Sequence, residues 1–190
     1  MSVTKGLEII IYGRGGQGAK TAAQLIAEVA IGKGEYAQAF PEYGPERTGA
    51  PVKSFARISD EPIKTSQPIT KPDVVMVIDP TLLESIDVNS GMGKEGILIV
   101  NSPKKPEEIK KQTGFEGEIY TVDATGIAIK YLGRNLPNMP ILGAFVKITK
   151  AIDIESLLEK VKAKFLNKIG KEKTEANLSA IREAYESVKV

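Results

Sequence analysis

Two rhythms of apolar residues alternate along the chain. Leu7-Glu-Ile-Ile-Ile-Tyr12 is a nearly continuous apolar run of strand length, the pattern of a strand buried on both faces. Ala22, Ala23, Ile26, Ala27 and Ala30 then recur at helical spacing, which predicts a helix over Ala19–Ile31 ended by Gly32 and Gly34. Tyr36–Phe40 and Val52–Ile58 predict two more strands on either side of a Gly- and Pro-rich loop, Pro41–Pro51. Pro62, Pro68 and Pro72 mark a polar connection. Asp73–Asp79 is the cleanest buried strand, followed by a short helix from Pro80 to Ile86 and a strand over Gly96–Val100. A short helix over Glu107–Gln112, a strand over Ile119–Asp123 and a helix over Ala124–Leu132 follow. From Pro140 the pattern is helical to the end. Ile154, Leu157, Leu158, Val161, Phe165 and Ile169 form one stripe, and Leu178, Ile181, Tyr185 and Val188 a second beyond Gly170.

Strands alternating with helices predict an α/β fold: a Rossmann-like, doubly wound, mostly parallel sheet with helices on both faces and a helical C-terminal segment. A length of 190 residues fits a single domain over 1–190, with 140–190 as a helical part packed on it.

Composition then narrows the chemistry. There is no Cys and no His. That excludes a thiol nucleophile, a Cys-ligated cluster, an imidazole base and a zinc site built from those ligands. Backbone amides, Lys, Arg, carboxylates and hydroxyls remain, a palette suited to binding anions. The net charge of +2 supplies no field for nucleic acid. No apolar run approaches the ~18 residues of a membrane span, and the N-terminus lacks a signal-peptide layout. The expectation is a cytoplasmic protein with neither nucleic acid nor membrane as partner.

Gly13-Arg14-Gly15-Gly16-Gln17-Gly18 carries the most chemistry. Gly13, Gly15 and Gly18 match G-x-G-x-x-G between a strand and a helix. The first glycine is expected to make the tight turn, the second to let backbone approach a phosphate, and the third to let helix and strand pack closely. The helix N-terminus adds amide donors and partial positive charge, and Arg14 and Gln17 are placed to reach an anion. Two standard readings fail. A nicotinamide dinucleotide site wants an acidic residue ~20 positions on, at the second strand tip; Gln38-Ala-Phe-Pro41 stands there and Glu42 comes late. A P-loop wants Lys directly after the last glycine, where Ala19 stands; Lys20 is turned by ~100°.

Read together, Gly13–Gly18, Tyr36-Ala-Gln-Ala-Phe-Pro41, Tyr43-Gly-Pro-Glu-Arg-Thr-Gly-Ala-Pro-Val52 and Phe55-Ala-Arg-Ile-Ser59 closely resemble the gamma subunit of pyruvate and other 2-oxoacid:ferredoxin oxidoreductases. Asp73–Asp79, Leu142-Gly-Ala144 and the Asn177…Tyr185 helix resemble further family features, so the resemblance spans nearly the whole chain. It implies a multisubunit enzyme that converts pyruvate, coenzyme A and oxidised ferredoxin to acetyl-coenzyme A, carbon dioxide and reduced ferredoxin. It also implies alpha, beta and delta partners, which would hold thiamine diphosphate, magnesium and the iron–sulfur clusters. Coenzyme A would bind at a shared site, and no cofactor would bind to this chain alone. The 2-ketoisovalerate, 2-oxoglutarate and indolepyruvate enzymes stand as alternatives. A stand-alone nucleotide-binding regulatory module is the alternative of another class. The isolated chain is expected to be inactive.

The resemblance adds Glu46, Arg47 and Thr48 to Gly13, Arg14, Gly15, Gly16, Gln17 and Gly18 as ligand-binding candidates, with no catalytic and no metal-binding residue. Glu46 and Arg47 would otherwise be a solvated ion pair. Arg47 suits planar phosphate recognition, and a loop after the second strand would share the carboxyl edge with the glycines. Asp79 reads as a helix cap ahead of a catalytic acid. Asn101-Ser102 is open in the same way, and Lys53, Lys104-Lys105 and Lys110-Lys111 read as surface. The stripes after Ile154 read as core or subunit interface.

Overall fold

The computed structural model describes residues 6–42 and 49–189. Six strands and six helices follow in chain order: β1 (Leu7–Arg14), α1 (Ala19–Gly32), β2 (Tyr36–Pro41), β3 (Pro51–Ser59), β4 (Val74–Val77), β5 (Ile97–Asn101), α2 (Pro106–Thr113), β6 (Glu118–Val122), α3 (Ala124–Leu132), α4 (Pro140–Thr149), α5 (Ile154–Ile169) and α6 (Lys171–Ser187). The helix expected after Pro80 is a 3₁₀ turn over Pro80–Glu84, capped by Asp79.

The strands form one sheet in the order β2-β3-β1-β4-β5-β6. β1, β4, β5 and β6 are mutually parallel. β3 is antiparallel to both β1 and β2, so it alone runs against the others. The mostly parallel reading holds, and the reversal of β3 is the departure from strict alternation. Its cause is local. The stretch between β2 and β3 is too short for the helical crossover that a parallel return requires. β2 therefore ends at the same edge as β1.

Both faces are covered, which is why the strands read as unbroken apolar runs. Ile9, Ile11, Val74, Met76 and Ile99 face α1 and the C-terminal helices. Ile10, Tyr12, Val75, Val77 and Leu98 face the other way, under Leu82, Ile109 and Phe115. Each such side chain, when fully buried, is stabilising by ~1.5–3 kcal/mol.

The C-terminal helices lie on the first face. In α4, Gly143 sits where a Cβ would strike the backbone of Ile181 and Tyr185 in α6, so the two helices meet at backbone distance. Asp153 caps α5 by accepting from Ser156 N at 2.7 Å. The last residues are not helical as expected. α6 ends at Ser187, and Lys189 pairs with Thr121 of β6, its N donating to Thr121 O at 2.8 Å and its O accepting from Thr121 N at 3.2 Å.

Candidate functional site

From β1 the chain passes through α1 to β2 on one side, while β4 lies against β1 on the other. The carboxyl ends of β1 and β4 thus flank the point where the winding reverses, the usual ligand crevice of an open α/β sheet. The glycine loop stands there.

Its glycines divide the work differently from the expectation. Gly13 and Arg14 are still strand, and an added Cβ at Gly13 would meet only ordinary contacts near 3.5 Å. The left-handed turn falls on Gly16 (φ 96°) and Gly18 (φ 82°). Glycine is required at Gly18 for a second reason: the Asn138 carboxamide fills the place a Cβ would take. Gly15 is held on both sides, its N donating to Ala50 O at 2.9 Å and its O accepting from Gly49 N at 3.3 Å. The end of the β2–β3 loop therefore does reach the glycine loop. Glu46, Arg47 and Thr48 lie outside the described residues.

Arg14 and Gln17 are turned onto the protein's own groups. Gln17 Nε2 donates to Asp79 Oδ2 at 2.6 Å, and Gln17 Oε1 accepts from Arg14 N at 2.7 Å. The Arg14 guanidinium donates to Thr81 Oγ1 at 2.8 Å through Nη2 and to Gly49 O at 3.1 Å through Nη1. Thr81 gives Asp79 Oδ1 two further bonds, 2.6 Å from its hydroxyl and 3.0 Å from its N. Burial pushes the Asp79 carboxyl up, but the hydrogen bonds from Thr81 and Gln17 and the Arg14 charge outweigh it and hold the pKa below its ordinary value. Asp79 is thus the cap of the 3₁₀ turn and the hub of a network closing the β1–β4 crevice. On the other face, Tyr12 is held protonated chiefly by burial, then by the Glu42 and Asp87 charges.

Asn101, at the end of β5, is structural as well. Its Nδ2 donates to Ile78 O at 2.7 Å and Thr125 Oγ1 at 2.9 Å, and its Oδ1 accepts from Thr125 N at 3.0 Å. Lys104, Lys105, Lys110 and Lys111 are exposed.

What remains open is the foot of α1. The helix has no side-chain cap, whereas Asp123 and Asp153 cap α3 and α5, and it has no acid in its first turn. It faces a cleft of about 620 Å³. Gly16, Gly18 and Thr21 form one wall, Arg134, Leu136 and Asn138 another, and Phe165, Ile169 and Lys173 a third. Uncapped amides and two cations beside apolar surface suit a phosphate-bearing ligand. Sequence patterns did not point to Arg134, Asn138 and Lys173. They sit in an aperiodic connection and on a helix face, and only the packing of α4 to α6 brings them to α1. The expected apolar stripe of α5 divides: Leu157, Leu158 and Val161 are core, whereas Phe165 and Ile169 reach the cleft.

A family model described as pyruvate ferredoxin/flavodoxin oxidoreductase matches residues 8–187. The chain is 48% identical over 185 residues to the pyruvate synthase subunit PorC of Thermotoga maritima, covering 97% of this chain and 96% of that one. It is 46% identical over 185 residues to the pyruvate/ketoisovalerate oxidoreductases common subunit gamma of Pyrococcus furiosus, with coverage of 97% and 98%. Among solved structures it resembles the crystal structure of the Thermotoga maritima pyruvate oxidoreductase subunit PORC (EC 1.2.7.1), with a TM-score of 0.88, 46% identity and 98% of each chain covered.

Proposed function

The chain belongs to the pyruvate ferredoxin/flavodoxin oxidoreductase family, and from that premise we propose how it serves the reaction. It is the gamma subunit of a pyruvate:ferredoxin oxidoreductase and so one part of a multisubunit enzyme. Its relatives carry the pyruvate name, alone or shared with ketoisovalerate, along almost their whole length, and a stand-alone regulatory module is not favoured.

In this reading the partners are alpha, beta and delta subunits in the cytoplasm, and residues 1–190 act as one gamma domain. Those partners would hold thiamine diphosphate with magnesium, which would supply the decarboxylation chemistry, and the iron–sulfur clusters, which would supply electron transfer to ferredoxin. With no Cys, this chain has no thiolate for a cluster, and with no His it has no imidazole base. Its own contribution is to bind and orient coenzyme A at a shared site. Backbone amides of Gly16, Gly18 and Ala19 would take phosphate oxygens. Arg14 and Gln17 hold those amides in place from behind, and Arg47, with Glu46 and Thr48 beside it, would reach the ligand from the neighbouring loop. The observation that carries the reading is the bare N-terminus of α1, open on the cleft it forms with the segment around residues 134–139 and the C-terminal helices, beside the crevice at the sheet's switch point.

The test uses the assembled enzyme. An added Cβ at Gly16 meets nothing within 4 Å, so a side chain there projects into open space. Asn and Asp are the residues that best tolerate its left-handed backbone. Gly16→Asp should raise the KM for coenzyme A more than Gly16→Asn, because it adds repulsion to obstruction. Arg47→Ala should remove a charged contact worth about 1.5–3 kcal/mol, roughly tenfold or more in that KM. Decarboxylation without coenzyme A should persist. Parental coenzyme A dependence in all three assembled variants would refute the assignment.

A further inference from the structure

The outer margin of β2 carries the hydrogen-bonding groups that a further strand would use. β2 and β3 share a continuous antiparallel register, from Tyr36 opposite Ser59 to Pro41 opposite Ser54. Just beyond it, Glu42 N donates to Lys53 O at 3.0 Å, so those two residues form a hydrogen-bonded pair. Such pairs alternate along an antiparallel ladder. Tyr36, Gln38 and Phe40 therefore direct their backbone groups to β3, and Ala37, Ala39 and Pro41 turn theirs to the open side. No described residue is bonded to those outward groups. Pro41 falls in the outward register, where β3 needs no N–H.

Edges that must stay unpaired usually carry a lysine, a bulge or a covering loop. From Tyr36 to Pro41 there is no charge and the register has no bulge; acids stand only at the two ends, Glu35 and Glu42. The strand is also held rigidly. Ala37 and Ala39 pack on the core beneath α1, Gln38 Nε2 donates to Thr65 O at 2.7 Å, and the Phe40 ring lies 5.1 Å from that of Phe55. A margin ordered in advance loses little freedom when it pairs. Ile31 and Tyr36, 55% and 48% exposed, stand at either end of the turn into β2. They are two of the three exposed large apolar side chains among the described residues.

We propose that β2 receives an extended segment of another subunit of the oxidoreductase as a further strand of the sheet. Ala37 and Ala39 each supply an N–H and a C=O, and Pro41, which offers a C=O alone, ends the pairing. Apolar or β-branched side chains of the incoming strand suit the places beside Tyr36 and Phe40. The occupant is a partner subunit rather than a second copy. At ~3.4 Å per residue the margin is about 20 Å long. Two such margins paired about a two-fold axis are too small for the ~1,200 Å² of a stable interface. The chain is one part of a multisubunit enzyme, in which other surfaces add their area. The proposal does not depend on where coenzyme A binds.

Backbone amide exchange, read residue by residue, is compared between the isolated full chain and the purified, assembled oxidoreductase. In the isolated chain the amides of Ala37 and Ala39 should exchange freely, and those of Gln38 and Phe40 slowly. In the assembly Ala37 and Ala39 should slow by about a hundredfold or more. With the photoreactive benzoylphenylalanine in place of Tyr36, irradiation of the assembly should join this chain to another subunit. Tyr36→Lys changes an exposed side chain, and Ala39→Pro removes an N–H that β3 does not use. Both isolated variants should fold, and each should weaken assembly several-fold. If Ala39→Pro melts lower than the parent, Tyr36→Lys alone carries that comparison. The proposal falls if Ala37 and Ala39 are already protected in the isolated chain, or still exchange freely in the assembled enzyme. It falls equally if the photoadduct joins only two copies of this chain, or if the folded variants assemble as the parent does.

Discussion

Arg14 Nε lies 3.3 Å from Asp79 Oδ2, joining the carboxyl end of β1 to the residue just past β4. The two strands are direct parallel neighbours. The pair therefore closes the crevice from within, while Gln17 ties the glycine loop to the same carboxylate.

This network should show in the acid limb of stability. Asp79 titrates below its ordinary value of 3.8 in the folded chain. A lowered carboxylate contributes stability that is present above the unfolded value and is lost as pH falls through the folded one. Melting temperature should therefore fall as pH drops below ~4, and Asp79→Asn should flatten that fall. Identical acid limbs in the parent and the variant would remove Asp79 from the account.

The two left-handed glycines should respond unequally to alanine. Gly16→Ala adds a Cβ in open space and should cost only the backbone penalty, about 1–2 kcal/mol. Gly18→Ala carries the same penalty and must also displace the Asn138 carboxamide. Thermal denaturation should separate them, with Gly18→Ala lower by several degrees, at roughly 2–4 °C per kcal/mol for a chain of this size. Equal losses would show that Asn138 yields freely.

Gly143→Ala tests the closest helix contact. Alanine favours a helix over glycine by about 1 kcal/mol, yet its Cβ here would meet the backbone carbonyl of Ile181. Backbone cannot step aside as a side chain can, so overpacking of about 1–3 kcal/mol should win and the variant should be less stable in urea. A variant as stable as the parent, or more so, would mean that α4 and α6 have room to separate.

The isolated chain should not reduce a viologen dye when given pyruvate, coenzyme A and thiamine diphosphate. Turnover by pure chain would contradict its role as one subunit of the enzyme.

The strands were legible because both faces of the sheet are covered, which leaves runs such as Ile9–Tyr12 without polar interruption. The direction of β3 was not legible. Val52–Ile58 reads the same in either direction, and only the brevity of the link from β2 decides it. The glycine loop was visible from its spacing. The commitment of Gln17 and Arg14 was not, because Asp79 and Thr81 lie 62 and 67 positions away and arrive only when β4 docks beside β1. Asn138 gave no signal. It stands between Pro137 and Pro140 in a connection with no periodicity, and its meaning depends on a glycine far upstream.

The pairing of Lys189 with Thr121 leaves the two margins of the sheet unlike. On the β6 margin, the chain's own tail occupies both backbone groups of Thr121, so a strand from another molecule arriving there must first displace it. The β2 margin has no such clasp among the described residues, and Tyr36 at its start is 48% exposed. Unpaired strand margins are where sheets recruit foreign backbone. The two margins thus differ in how open they are to foreign backbone: pairing with Lys189 blunts the β6 side at Thr121, and the β2 side carries no such pairing among the described residues.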